Sequence, residues 1–114
     1  MATRTMTHSL PGGRFHFTET ATAGGATDPL LFPAIYPHDP GHKPASIFVK
    51  PAGGGSARIE FTLSTQAQVE AAAAIWIPWP HGDVTAATAA AINGPITALR
   101  CVSVSGAADW GVMI

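Results

Sequence analysis

The run Pro37-His38-Asp39-Pro40-Gly41-His42 holds the best metal candidate in the chain: His38, Asp39 and His42 put two imidazoles and a carboxylate close together. On a helix, histidines four residues apart share one face. Here two prolines and a glycine forbid that geometry. A structural zinc site wants four ligands, so the remainder would have to come from His81, Asp83 or His16. Solvated loop histidines are the plainer expectation, and neither a metal nor a cofactor is expected. His81 and Asp83 flank Gly82 like a fragment of an acid–base pair. A nucleophile beside the base is the next requirement, and no serine stands in a G-x-S-x-G elbow. Cys101 lies in the most hydrophobic run, where a thiol serves as a small apolar filler. Gly53-Gly54-Gly55 lacks the Lys-Ser/Thr that completes a phosphate-binding loop. The reading is of a protein that is not an enzyme.

The aromatic residues are better placed for contact than for chemistry. Trp76 and Trp79 differ by three, so on a strand they face opposite sides; one can enter a core while the other points out. An exposed tryptophan would serve a contact patch, or a sugar-stacking platform with His81 and Asp83 beside it. Nucleic acid is not an expected partner. Six Lys and Arg against seven Asp and Glu give a net charge of -1, without the basic footprint that a phosphate backbone requires. No run approaches eighteen apolar residues, so no membrane-spanning segment is expected.

These side chains need elements to hold them, and the chain has 114 residues to build them from, enough for one domain. Only 11% of residues are charged, against roughly 25% in an average soluble protein. Ten prolines and twelve glycines suit a turn-rich β protein better than a helical bundle. A single cysteine excludes an internal disulfide framework. Residues 1–13 are polar, lack periodicity and end in Pro-Gly-Gly, which predicts a flexible N-terminal arm; they also lack the apolar core of a secretory signal. Residues 14–114 read as a single β domain. Arg14 to Thr20 alternates as a half-buried strand. In the proline-rich segment 30–45, Pro33, Pro37, Pro40 and Pro44 prevent helix and inner strand. Its Leu30, Leu31, Phe32, Ile35 and Tyr36 must nevertheless lie against something, either their own sheet or another subunit.

Ser46 to Lys50 and Ala57 to Ser64 read as two strands of a hairpin joined by the glycine loop. In the second, Ile59, Phe61 and Leu63 point one way, and Arg58, Glu60 and Thr62 the other. Thr65 with Gln68 fits a capping box and predicts one helical turn over 65–70. Ile75 to Ile77 favours strand, and Val84 to Ile92 is ambiguous. Asn93-Gly94-Pro95 is a sharp turn. Ile96 to Val104, apolar on both faces, predicts a central buried strand. Trp110, Val112 and Ile114 share one face of the last. The fold class is therefore all-β, a small antiparallel sandwich or barrel of about six to eight strands with extended N-terminal and proline-rich arms.

Three stretches carry a resemblance: Ile59-Glu60-Phe61-Thr62-Leu63, then Ala74-Ile75-Trp76-Ile77-Pro78-Trp79-Pro80-His81-Gly82-Asp83-Val84, then Gly94-Pro95-Ile96-Thr97-Ala98-Leu99-Arg100 with the closing strand pair around Ser105-Gly106. Together they resemble small structural proteins of tailed bacteriophages and prophages, of the kind placed near the major capsid protein. The resemblance implies a β-rich virion component, made in the host bacterial cytoplasm, without an active site. The expectation is a capsid decoration or cement protein that binds the outer capsid lattice as a homo-oligomer, such as a trimer on a local symmetry axis. Its expected partners are the major capsid protein or other virion proteins, and itself. Expected contact residues are Leu31, Phe32, Ile35, Tyr36, Trp79 and Trp110, in strips 30–37 and 110–114, with 1–13 as a tether. Two alternatives stand beside it. One is a head-tail or tail structural protein or head-fibre base, and the other is a carbohydrate-binding β module using Trp76, Trp79 or Trp110.

Overall fold

Buried side chains at every second residue make Ala45–Pro51 a strand with one wet face. Ala45, Ile47, Val49 and Pro51 are buried, while Ser46, Phe48 and Lys50 are exposed. The same rule builds most of the chain in a computed structural model that describes residues 3–5, 7–10, 14–22, 24–32, 45–92 and 96–114. The strands are β1 (Arg4–Thr5), β2 (Thr7–Leu10), β3 (Arg14–Ala21), β4 (Gly25–Ala26), β5 (Leu30–Leu31), β6 (Ala45–Pro51) and β7 (Ser56–Thr62). A short helix, α1 (Gln66–Glu70), precedes β8 (Ile77–Pro78), β9 (Thr88–Ile92), β10 (Ala98–Ser105) and β11 (Ala108–Met113).

Two sheets pack face to face as an all-β sandwich. Sheet I has the order β1-β5-β10-β7-β8, with β4 also paired to β10. Sheet II has the order β2-β3-β11-β6-β9. Neighbours run antiparallel except β1 and β5, which are parallel. Between the sheets lie Ile47 and Val49 from β6, Ile59 from β7, Leu99 and Cys101 from β10, and Trp110 and Val112 from β11. Strand β10 is central in its sheet, as its composition predicts, but it is not apolar on both faces: Arg100 lies on the outer one, and Val104 is 48% exposed.

The hairpin expected from residues 46–64 does not form. Strands β6 and β7 belong to different sheets, and the glycine loop carries the chain across the sandwich. Both arrangements place Ile47, Val49 and Ile59 in the core, so alternation alone cannot separate them. The crossing is tight: Gly55 N donates to Ala52 O at 2.7 Å, and a Cβ on Gly55 would meet Ser105 O at 2.6 Å. The outer face of β7 is also drier than its pattern suggests. Glu60 and Thr62 are buried, and Leu63, just past the strand, is 63% exposed.

The first residues differ from the expected free arm. Arg4–Thr5 pairs with Leu30–Leu31, and Thr7–Leu10 with β3. Arg4 also forms an ion pair with Glu19 and lies 5.0 Å from the centre of the Phe17 ring. Edge strands need little sequence periodicity, because a partner sheet supplies the pairing. Residues 11–13, the proline-rich 33–44 and the turn 93–95 lie outside the described residues.

The capping box is present: Thr65 Oγ1 accepts from Gln68 N, and Gln68 Oε1 accepts from Thr65 N at 2.9 Å. The helix ends in a Schellman pattern, with Ala73 N donating to Gln68 O and Ala72 N to Val69 O. Ala72 sits there with φ 57°. Of the ambiguous stretch 84–92, only Thr88–Ile92 becomes a strand, because β6 offers it an edge.

Candidate functional site

Two of the expected contact residues are internal. Trp110 is fully buried on β11, where its Nε1 donates to Glu19 Oε1 at 3.0 Å and its ring packs 5.5 Å from Phe17. Trp79 is 2% exposed, and its Nε1 donates to Gly82 O at 2.8 Å. The indole N–H groups are satisfied within the chain, so neither ring offers a stacking or contact surface. Leu31 is buried beside Val69 and Ala98, and Phe32 is half-buried against the main core. Pairing with β1 and β10 draws Leu30 and Leu31 inward, and this covers apolar bulk that the sequence left without a strand partner. Ile35 and Tyr36 lie outside the described residues.

The chemical candidates are separated in the same way. His38, Asp39 and His42 lie outside the described residues. His81 packs edge-on to Trp79 at 5.0 Å, Asp83 Oδ1 accepts from Arg58 Nη1 at 3.1 Å, and His16 is on the opposite sheet. Among the described residues no three His, Cys, Asp or Glu side chains gather as a metal site. Cys101 is buried in the core; burial, with a smaller push from the Glu19 charge, raises its thiol pKa to about 12. It fills space, as its neighbours predict.

Much of the outer face of sheet I is covered by the chain itself, although Val104 of β10 stays exposed. Val69 of α1 and the half-buried Trp76 pack over Leu31 and Ala98. Beside them, Glu60 accepts from Arg58 Nε at 2.8 Å and from Arg100 Nε at 2.7 Å. Burial pushes the Glu60 carboxyl up, but the two guanidinium hydrogen bonds outweigh it and hold the group below its ordinary pKa. Glu60 and Asp83 in turn raise Arg58. The Arg100 guanidinium lies 4.4 Å from the centre of the Trp76 ring, so one face of that tryptophan is occupied. Trp79 enters the main core and Trp76 is half-buried on the other side of sheet I; neither lies in a strand, so the period-two spacing does not decide their placement. Thr62 Oγ1 closes the layer by donating to Ile75 O at 2.8 Å.

The outer face of sheet II is bare by comparison. Its registers place Thr18, Gly111, Phe48 and Ala89 in one row across four strands, and His16, Met113, Ser46 and Ala91 in the next. Neither row contains an Asp, Glu, Lys or Arg. The Phe48 ring lies over Gly111, where a Cβ would come within 2.5 Å of Phe48 Cε1. The small residue allows the ring to lie down on the sheet, 38% exposed, beside a shallow apolar recess lined by His16, Ser46, Ala89 and Met113. Charge returns in the row beyond Thr18 and Gly111, with Thr20, Asp109 and Lys50.

A second exposed region is the side of the sandwich closed by β8 and β9. Ile75 is 75% exposed and Ile77 41%. Residues 71–92 contain one carboxylate, Asp83, and no Lys or Arg. Ile75, Ile77 and Phe48 each sit in an ordinary apolar strand pattern, which carries no sign of their exposure. The signal for Ile75 and Ile77 is the interval 71–92 itself, which holds a single charged residue; Phe48, two residues before Lys50, has no such signal. No helix among the described residues is long and apolar enough to cross a membrane. No protein-family model matches the chain, and no curated protein matches it either.

Proposed function

We propose that this chain is a virion structural protein of a tailed bacteriophage, a capsid decoration or cement protein that seats one face on the outer capsid lattice. The observation that carries the reading is the contrast between its two outer faces. Sheet I covers much of its own with α1, Trp76 and the Arg58–Glu60–Arg100 cluster, while sheet II leaves two uncharged rows open around Phe48. Two uncharged rows of a sheet with a half-exposed aromatic suit adhesion to another protein surface. The segments of the C-terminal half that resemble phage structural proteins build β7, β8 and β10, the frame that holds this face rigid from behind. In this reading the major capsid protein is the partner, the protein is made in the host cytoplasm, and its place of work is the virion.

The test is co-sedimentation of the purified chain with capsid shells lacking it. Ser46→Glu places a charge in the centre of the bare face at an exposed position and leaves the core untouched. The expected result is binding by the wild-type chain and about tenfold or weaker binding by the variant, because its carboxylate would be buried without a partner. Equal binding by both would remove the face from the account, and no binding by the wild-type chain would remove the capsid role.

A further inference from the structure

Strand β9 (Thr88–Ile92) ends sheet II; it is hydrogen-bonded to β6 on one side, and among the described residues no strand pairs with its other edge. A free edge presents N–H and C=O groups that another strand satisfies in register. Natural edges are usually blunted by charge, proline or a bulge. The edge β8 carries Pro78, and β2, at the far edge of sheet II, has a register shift between His8 and Leu10. β9 reads Thr88-Ala89-Ala90-Ala91-Ile92 and pairs with β6 without interruption. It has none of the three defences.

The flank around it has the character of an interface. β6 packs against β7, so β9 and β8 close the same side of the sandwich. Ala90 and Ile92 of β9 face inward but are only half-covered, alongside Val84. Exposed Ile77 follows on β8, and exposed Ile75 lies just before it.

We propose that β9 pairs antiparallel with β9 of a second copy of this chain, about a two-fold axis near Ala90. Thr88 then stands opposite Ile92 of the other copy, and Ala89 opposite Ala91. Thr88, Ala90 and Ile92 of both copies meet on the inner side and complete the half-covered core margin. Ala89 and Ala91 are small enough to leave the approach clear. A net charge of -1 per chain opposes association very little. The occupant is a second copy because an uncharged, uninterrupted edge meets an identical run of backbone N–H and C=O groups when turned about a two-fold axis, as an isologous contact requires. This pairing goes beyond the virion reading and does not depend on it.

Sedimentation equilibrium of the full chain tests it. The wild-type chain is expected at twice the chain mass, falling to one chain mass on dilution. Ala89→Lys/Ala91→Lys places like charges opposite each other across the axis at two exposed positions. That variant is expected to stay at one chain mass with an unchanged circular dichroism spectrum. Mixing it with Ala89→Glu/Ala91→Glu is expected to restore the double mass in a one-to-one heterodimer. A wild-type monomer at every concentration would overturn the proposal, as would a lysine variant that dimerises like the wild type or a mixture that stays monomeric. None of these outcomes bears on shell binding, which is read separately.

Discussion

Glu60 and Arg100 stand directly opposite each other on β7 and β10, and Arg100 Nη2 lies 2.6 Å from Glu60 Oε1. Arg58 closes the carboxylate from the other side, and Trp76 lies against the Arg100 guanidinium. The chain thereby spends three of its few charged residues on covering one outer face. The other is left without charge over two rows, and this asymmetry directs the functional reading to sheet II.

The Glu60 cluster makes stability depend on pH with a definite sign. A carboxyl held below its ordinary pKa binds fewer protons in the folded chain than in the unfolded one. Its contribution is complete above the ordinary value of 4.5 and is lost as pH falls through the depressed folded value. Glu60→Gln is expected to lower stability by about 2 kcal/mol at neutral pH. In urea melts, the gap between wild type and variant should shrink below pH 4.5. A gap that stays constant down to acid denaturation would show that Glu60 is not held as an ion pair.

Ala72 supplies the left-handed residue of a Schellman cap, a position that glycine usually takes. Ala72→Gly removes the Cβ strain of that conformation and adds unfolded-chain entropy. The balance is expected to be a gain of about 0.5–1 kcal/mol, read from the midpoint of chemical unfolding. A loss of stability would mean that the cap is not formed in solution.

Cys101 is expected to resist alkylation by iodoacetamide at pH 8 in the folded chain and to react within minutes in concentrated urea, because its thiol is both enclosed and far from ionised. Mass spectrometry reads the difference. Rapid labelling of the native chain would contradict the packing between the sheets.

Local chemistry was legible in the sequence where it acts over a few residues. Thr65 and Gln68 announced their cap, Ser46 to Lys50 announced a strand, and Trp110, Val112 and Ile114 announced the shared face of the last one. Strand partners were not legible. The crossing at Gly53-Gly54-Gly55 and the docking of Arg4–Thr5 beside Leu30–Leu31 depend on contacts far apart in the chain, which leave no periodic trace. The candidate surfaces were hidden for the same reason. Trp79 and Trp110 looked like contact residues by type, but their N–H groups find acceptors at Gly82 and Glu19. Phe48 lies across the sheet only because Gly111, distant in the sequence, lies beneath it.

The central claim is that the bare face of sheet II is covered by a capsid. Quantitative mass spectrometry of virus-like particles purified from cells that encode this sequence tests it most directly. The account predicts this chain in a fixed, high ratio to the major capsid protein, reduced by Ser46→Glu while the shell itself still assembles. Particles that contain no copy of the chain would contradict it.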